Sequence, residues 1–291
     1  MGSSSSEKLR IASHFLLHSP PGQVDQVLRD VRILLGSDAS ALTRPQLDAV
    51  LSQYNQAQFV FAPAPDAPNE NVMCCPQAQA DTGSKDRDVY ANPNNHQLLK
   101  FDNVNRTWSS EKGRAKSAPP AIEEYRVAIQ DAVHKYAASV YLDESKYAIG
   151  VFATATGDVS VALSAKNIAL HNFWAGSWRT VFTLNVSKPG ARSPIGAHIR
   201  VNVHYFEDGN VQLNTEFKRS ESIQIGDPAA TASAVHAAMD TIETEFQTSL
   251  EEFYVDMHKQ TFAGMRRFLP VTRTPMDWNP NAHKLAAQLK N

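Results

Sequence analysis

Between Tyr147 and Ile225 the sequence alternates with a period of two, and this stretch limits the possible folds more than any other. Five runs rich in β-branched and aromatic residues follow one another, separated by short groups of turn-forming residues. The links Thr156-Gly157-Asp158 and Glu207-Asp208-Gly209-Asn210 are typical of hairpin turns. Consecutive strands with short links pair antiparallel, so we predict a five-stranded meander. The predicted strands are Tyr147–Thr154, Val159–Lys166, Trp178–Val186, His198–Glu207 and Asn210–Phe217.

A long amphipathic helix is predicted directly after this sheet. Asp227-Pro228 begins it, because aspartate caps free amides and proline fits the first helical position. Apolar residues recur three and four positions apart over about 34 residues, which at about 1.5 Å per residue gives a helix of about 50 Å. We interpret the stripe as core rather than as a cofactor site: Val235, Met239, Ile242, Phe246, Leu250, Phe253 and Met257. The acidic residues mostly lie off the stripe and predict a solvated face: Glu243, Glu245, Glu251 and Glu252.

Three short helices are predicted before the sheet, over residues 7–18, from Val24 to Gly36 and over about 44–54, and they suggest a small antiparallel bundle. Five prolines between residues 61 and 118 predict irregular structure with at most brief strands. Helical spacing returns from Ile122 to Tyr141.

Composition and motifs argue against several classes of protein. The longest apolar run has seven residues, against about 20 for a membrane span, and the N-terminus lacks the apolar core of a secretory signal. We therefore expect a cytosolic protein. The adjacent Cys74 and Cys75 predict ordinary reduced thiols. Met1-Gly2 with Ser6 fits the loose N-myristoylation pattern, but the serine run favours a flexible end over lipidation.

No catalytic or metal-binding motif was found in the sequence, so we predict neither an enzyme nor a cofactor. Residues Trp174–Trp178 lack the second glycine of a nucleophile elbow and are interpreted as a structural turn. His198 and His204 share a face of one predicted strand, but at about 3.3 Å per residue they lie about 20 Å apart, too far to share a metal ion.

The C-terminal segment is basic, whereas the rest of the chain is acidic. Gly264–Asn291 contains five basic residues and one acidic residue, and the remainder contains 23 basic and 29 acidic residues. Prolines 270, 275 and 280 keep the segment extended until a final helix, Asn281–Lys290, whose Leu285 and Leu289 form a narrow apolar stripe. Such a short helix is marginal alone in water. The segment therefore predicts an arm that docks on an acidic partner.

Several ungapped blocks of the sequence are similar to the F-actin-capping protein alpha subunit family. The most specific block, Met265–Thr274 followed by Asp277-Trp278, resembles the family pattern L-R-R-x-L-P-V-T-R-T with a later tryptophan. The blocks keep the family's order and cover nearly all of the chain except residues 61–118. The other similar blocks are Arg10-Ile11-Ala12, Ser19–Gly22, Asp30-Val31-Arg32, Asn172–Arg179 and His204–Leu213.

The resemblance implies an α+β fold with a helical stalk, a central antiparallel sheet completed by a partner subunit, a long helix across the sheet and a C-terminal amphipathic tentacle. It implies an obligate heterodimer with a beta subunit that binds filament barbed ends independently of calcium and blocks subunit addition and loss. The implied location is the cytoplasmic actin cytoskeleton, at the cell cortex or in actin patches. Further implied partners are a dynactin-type complex, a myotrophin-like inhibitor and regulators with a capping-protein interaction motif.

The resemblance also assigns candidate actin-binding residues. In the family, basic residues of the tentacle meet the barbed end, and these correspond here to Arg266, Arg267 and Arg273. Family members usually carry a further lysine where this chain has Ala263 or Gly264, a departure that bears on part of the electrostatic contact. Our interpretation of the final helix adds Trp278, Lys284, Leu285 and Leu289.

The expected organisation has five parts. They are a stalk over 1–60, an irregular globular segment over 61–118, a helix and sheet over 119–226, the long helix over 227–263 and the basic tentacle over 264–291. Two rival functions are a related scaffold that dimerises but recruits regulators instead of capping, and, more distantly, an enzyme. A nucleic-acid binder is disfavoured by the acidic body.

Overall fold

The computed structural model of the chain describes residues 5–80, 88–141, 143–207 and 210–256. Two compact units make up the chain, Met1–Asp240 and Thr241–Asn291, and the contacts given below lie within the first. The described helices are α1 (Ser5–Leu17), α2 (Val24–Leu35), α3 (Arg44–Ala57), α4 (Pro120–Val140) and α5 (Pro228–Asp256). The described strands are β1 (Phe61–Ala64), β2 (Ala67–Met73), β3 (Val89–Ala91), β4 (Gln97–Asp102), β5 (Thr107–Arg114), β6 (Tyr147–Ala153), β7 (Asp158–Ala169), β8 (Trp174–Asn185), β9 (Arg192–Tyr205) and β10 (Val211–Gln224).

The central sheet is the predicted antiparallel meander. Its five strands pair in chain order, from β6 at one edge to β10 at the other. Most of the strands are longer than predicted, reaching 14 residues in β9 and β10. Polar residues extend the strands because the ladder hydrogen bonds depend on the backbone and not on the side chains. The chain is thus of the predicted α+β class.

The turn predicted at Trp174–Trp178 is wrong, because these residues form the first half of β8. Ala175 lies opposite Ile168 of β7 on one side and opposite His204 of β9 on the other. Pairing on both sides supplies hydrogen-bond partners to the backbone and outweighs the low strand propensity of Gly176. The Asp208-Gly209 pair of the predicted β9–β10 hairpin turn lies outside the described residues.

Local sequence signals set the ends of several helices as predicted. Asp227 caps α5, since its Oδ1 accepts a hydrogen bond from the backbone N–H of Ala230 at 2.8 Å. Gly36 ends α2 with a φ of 55°, a conformation that glycine adopts without a Cβ penalty. Pro45 lies in the first turn of α3.

The apolar stripe of α5 is buried only in part. Val235, Met239, Ile242 and Phe246 are buried, whereas Phe253 is 49% exposed, which corrects its assignment to the core. Glu243 was expected on a solvated face and is instead buried. It follows Met239 by four positions and precedes Phe246 by three, so helical geometry places it on the apolar face. The spacing of apolar residues identifies one face of a helix, but it does not show which part of that face is buried.

The stretch 61–118 is more regular than predicted. It contains a two-stranded sheet of β1 and β2 and a three-stranded sheet of β3, β4 and β5. Phe101 and Trp108 lie 4.5 Å apart between ring centroids at the centre of this region, and the Trp108 indole N–H donates to the Val72 carbonyl at 3.0 Å. Cys74 and Cys75 belong to the same core as free, buried residues, and burial raises the pKa of the Cys75 thiol to about 12.

The three N-terminal helices form the predicted small bundle around a core of their own. Leu16, Leu47 and Leu51 are its most buried leucines. The turn between α1 and α2 approaches β7 so closely that a Cβ at Gly22 would lie 2.5 Å from the Ile168 side chain. Gly22 also has a φ of 73°, a backbone conformation that favours glycine at this junction of bundle and sheet. None of the described helices is both long enough and apolar enough to span a membrane.

Candidate functional site

All of the predicted actin-binding residues lie outside the described residues, which end at Asp256. The described part of the chain instead shows which surfaces of the central sheet and the helical bundle could contact another subunit. The predicted residues concerned are Arg266, Arg267, Arg273, Trp278, Lys284, Leu285 and Leu289.

The two edges of the central sheet differ in their exposure. Residues Tyr147–Val151 of β6 are buried, and α4 and β2 contact this strand. Among the described strands, β10 is the last one at the opposite edge, and most of its 14 residues are exposed. An edge strand can pair with another chain through its backbone N–H and C=O groups. The β10 edge is therefore a candidate surface for pairing with another chain.

Charged side chains compensate one another along one face of the β10 edge. The Glu216 carboxylate accepts hydrogen bonds from His198 at 2.9 Å and from the Lys218 ammonium at 3.3 Å. These two hydrogen bonds lower the pKa of Glu216 below its usual value. On the other face, Leu213 and Phe217 are half-buried. The strand thus has a polar face and a more apolar face at the edge of the described sheet.

A polar chain of hydrogen bonds connects the helical bundle to this end of the sheet. The buried His204 ring on β9 has Gln23 Nε2 at 2.6 Å from its Nδ1 and Asn210 Oδ1 at 3.0 Å from its Nε2. The ring also stacks on Phe206, with 4.9 Å between centroids. His204 therefore has a structural role. Within the described ranges there is no cluster of three or more metal-ligating side chains, and the other histidine of the predicted pair, His198, binds Glu216.

The sequence blocks that resemble the capping family on β8 and β9 come together in space. Trp174 lies directly opposite Tyr205, and Ala175 lies directly opposite His204. Phe173 and Phe206, which flank these pairs, meet edge to face at 5.7 Å between ring centroids. Two segments about thirty residues apart in sequence therefore form one packed unit beside the β9–β10 hairpin.

Sequence reasoning missed a group of cations on the inner polar face of the sheet. The Lys166 ammonium lies 3.9 Å from the centre of the Phe61 ring, and the Arg200 guanidinium lies 5.1 Å from that of Phe59. Arg179 is buried and donates to the Ala57 carbonyl and to Asn202. Burial, assisted by repulsion from Arg200, lowers the pKa of Arg179 to about 10. The sequence signal for this group of cations was the period-two alternation, which places these polar residues on one face of the strands.

A second candidate contact surface lies on the helical bundle. Four large apolar residues are exposed there, although the bundle has an internal core. Ile33 and Leu34 of α2 are the most exposed, at 77% and 79%. They lie off the buried stripe of the helix, so the bundle itself does not cover them. The other two are Ile11 and Phe15 of α1, which are 40% and 50% exposed.

A cavity with a volume of about 790 Å³ lies beside α4 and β6. Its buried Arg126 donates to the Glu123 carboxylate at 2.7 Å and to the Pro93 carbonyl at 3.1 Å. The guanidinium is therefore held by structural bonds.

Comparison with known proteins gives the same family that the sequence blocks resemble. The family model for the F-actin capping protein alpha subunit matches residues 12–288. An F-actin-capping protein subunit alpha from Caenorhabditis elegans is 30% identical over 293 residues, covering 99% of both chains. That of Dictyostelium discoideum is 28% identical over 275 residues, 94% of both chains.

A solved structure shares the fold. The homodimeric actin capping protein alpha subunit from Plasmodium berghei superposes with a TM-score of 0.74 at 21% identity, over 92% of this chain and 99% of that one. The family model extends across the bundle, the small sheets, the meander and the basic C-terminal segment. The chain therefore belongs to the F-actin capping protein alpha subunit family.

Proposed function

We propose that this chain is one subunit of a capping protein that binds actin filament barbed ends, independently of calcium, and blocks the addition and loss of actin subunits. The observation that carries the proposal is the family match over residues 12–288, since this range includes the basic C-terminal segment. The family consists of structural actin-binding proteins and not of enzymes.

The proposed partner is a capping protein beta subunit that continues the central sheet from β10. Two features support this: the position of β10 at an edge of the sheet formed by the described strands, and the exposed apolar residues of α1 and α2. Together they offer backbone hydrogen-bonding groups and apolar area, which an obligate interface combines. The Plasmodium berghei relative is described as homodimeric. A second copy of this chain is therefore the alternative occupant of the same edge.

Amide hydrogen exchange is expected to locate this interface. In the chain without a partner, the β10 amides that are not donated to β9 should exchange rapidly, with Phe217 and Arg219 left out of the comparison because they have further interactions. Binding of the beta subunit should slow their exchange about 100-fold or more, because each gains a backbone acceptor and loses contact with water. The covered strand β6 is the internal control and should change little. Unchanged β10 exchange in the complex would exclude this edge from the interface.

We propose that the basic residues and the apolar residues of the tentacle act at different steps. Arg266, Arg267 and Arg273 would accelerate encounter with an acidic filament end, since long-range attraction acts mainly on association rates. The apolar face of the last helix would slow dissociation, because short-range burial is lost only when the complex separates. The residues assigned to this second step are Trp278, Leu285 and Leu289, with Lys284 beside them.

Replacement of Arg267 and Arg273 by alanine is expected to lower the capping on-rate about tenfold at low salt and to flatten its salt dependence. The off-rate should change less. Both rates can be obtained from seeded elongation of labelled actin at several salt concentrations. The matched control replaces Arg114 and Lys116, two exposed basic residues of the body, and so makes the same change in net charge. An on-rate equal to that of the wild type would remove the arginines from the mechanism.

Seeded elongation with the reconstituted two-subunit protein tests the proposed function itself. Nanomolar amounts should stop growth from barbed ends, with and without a calcium chelator. Full barbed-end growth in the presence of a correctly assembled dimer would favour the rival, a scaffold that recruits regulators. The proposed cytoplasmic location, at the cortex or in actin patches, and the proposed dynactin-type, myotrophin-like and interaction-motif partners all depend on a positive result.

A further inference from the structure

A small cavity of about 150 Å³ lies where the helical bundle meets the polar face of the central sheet. Four separate parts of the chain line it. The floor is formed by β7 and β8, and the walls by the α1–α2 turn, the segment that follows α3 and the turn between β4 and β5. The lining residues used below are Asp25, Gln58, Phe61, Arg106, Lys166 and Ser177.

Positive charge dominates the lining of this cavity. Lys166 and Arg106 are its two cations, and Asp25, its one carboxylate, is already paired with Arg106. Lys166 forms no hydrogen bond or ion pair with any described residue; its ammonium lies over the Phe61 ring. Burial and then repulsion from Arg106 lower the pKa of Lys166. The two cations therefore act on each other across the cavity without a free counterion.

Unsatisfied polar atoms also line the cavity. Ser177 Oγ and Gln58 Oε1 are buried and have no hydrogen-bond partner among the described residues. Ser177 lies directly opposite Lys166 in the β7–β8 register, so the two side chains start from adjacent points on the same face. The Gln58 amide can present its NH₂ group to the cavity by rotation through 180°. An ammonium, a hydroxyl and an amide can thus donate hydrogen bonds from different directions.

Arg179 is a further buried cation next to this site. Arg179 lies on the same face of β8 as Ser177, and its Nε is buried without a partner. Its two hydrogen bonds go to a carbonyl and to an amide, so within the described ranges no carboxylate neutralises it. Arg179 therefore adds a further positive charge on the same face of β8 as Ser177. Water could fill the volume and satisfy single donors, but it would not neutralise the cations.

We propose that this cavity binds a phosphate-type oxyanion, either inorganic phosphate or the phosphate group of a phosphorylated side chain. Its four oxygens suit donors that approach from several directions, and its negative charge supplies the missing counterion. The volume accommodates a phosphate group but excludes a nucleotide. The bound anion would connect the bundle, the α3 segment and the β4–β5 turn to the sheet through one centre, and would therefore stabilise their junction.

This proposal is tested by calorimetric titration with sodium phosphate at constant ionic strength. The sample is the full-length chain assembled with its partner subunit. Phosphate should bind saturably and raise the thermal unfolding midpoint, whereas the same ionic strength supplied as potassium chloride should not. A parallel titration with O-phosphoserine distinguishes the two sources: binding of both ligands indicates a site open to a phosphorylated side chain, and binding of phosphate alone indicates a site for the free anion.

Two variants define the residues of the site. Lys166→Met removes the charge while keeping the stem over Phe61, and it should weaken phosphate binding about tenfold or more. Ser177→Ala should weaken it about threefold to tenfold by removing one donor, and it decides the question if Lys166→Met does not fold. Lys188→Met, at an exposed position in the turn between β8 and β9, is the control and should bind phosphate like the wild type.

Two results would overturn the proposal. One is the absence of saturable phosphate binding beyond the effect of chloride. The other is an unchanged dissociation constant in the folded Lys166→Met variant or, if that variant does not fold, in Ser177→Ala. Capping by Lys166→Met should equal capping by the wild type, because the cavity lies in the body and not in the basic segment. Loss of the anion site can thus be distinguished from failure of the capping function.

Discussion

Removal of residues 264–291 is expected to weaken capping of barbed ends about 100-fold or more. The deletion removes five cations that would raise the association rate and the short apolar stripe that would hold the complex together. Assembly of the two subunits should be unaffected, because the proposed interface involves β10 and the helical bundle. Capping is measured by seeded elongation, and assembly by size-exclusion chromatography with light scattering.

A matched variant separates the two contributions within the deleted segment. Leu285→Ser with Leu289→Ser keeps every charge and should raise the off-rate while leaving the on-rate close to that of the wild type. If the deleted dimer stops filament growth as fast and for as long as the intact one, then the grip on actin comes from the body of the protein. In that case residues 264–291 would have a role other than capping.

Replacement of Phe182 by alanine is expected to lower the free energy of unfolding by about 3–5 kcal/mol. Phe182 is completely buried in β8, the middle strand of the sheet, and lies directly opposite Val161 on one side and Ala197 on the other. Removing the ring leaves a cavity that flanking strands cannot close, since both are fixed by ladder hydrogen bonds. Urea denaturation of the assembled dimer at one fixed concentration measures the loss.

Phe253→Ala is the control for this prediction. Phe253 is 49% exposed near the end of α5, so the same change in side chain should cost less than about 1 kcal/mol. Similar losses in the two variants would mean that β8 does not contribute the packing that its burial indicates.

The central meander and the helices around it could be predicted because their signals are local. The strands alternate with a period of two, and Asp227 and Gly36 mark helix ends through their own backbone preferences. Residues 174–178 were misassigned, since strand pairing on both sides of Ala175 is a property of the neighbouring strands. The order within 61–118 was underestimated for a similar reason, because Phe101 and Trp108 pack in a core formed by distant segments.

The candidate surfaces differ in how far the sequence revealed them. The basic arm stays a prediction from charge alone, since residues 264–291 have a net charge opposite to that of the remaining chain and lie outside the described residues. The group of cations at Lys166, Arg179 and Arg200 could not be predicted. Period-two alternation indicates that one face of the sheet is polar, but it does not show that residues 57–61 cover that face. Likewise, a sequence does not show which strand of a meander is left uncovered at its edge.

The edge position of β10 has a consequence for how the protein is produced in the cell, if the proposed beta subunit pairs there. A chain made in excess of that proposed partner would carry a 14-residue edge strand that can template non-native pairing, whereas β6 at the other edge is protected by α4 and β2. Balanced synthesis of the two proposed subunits, or rapid degradation of the surplus one, would then be a condition for solubility. Overexpression of this chain alone should accordingly yield inclusion bodies or self-paired species.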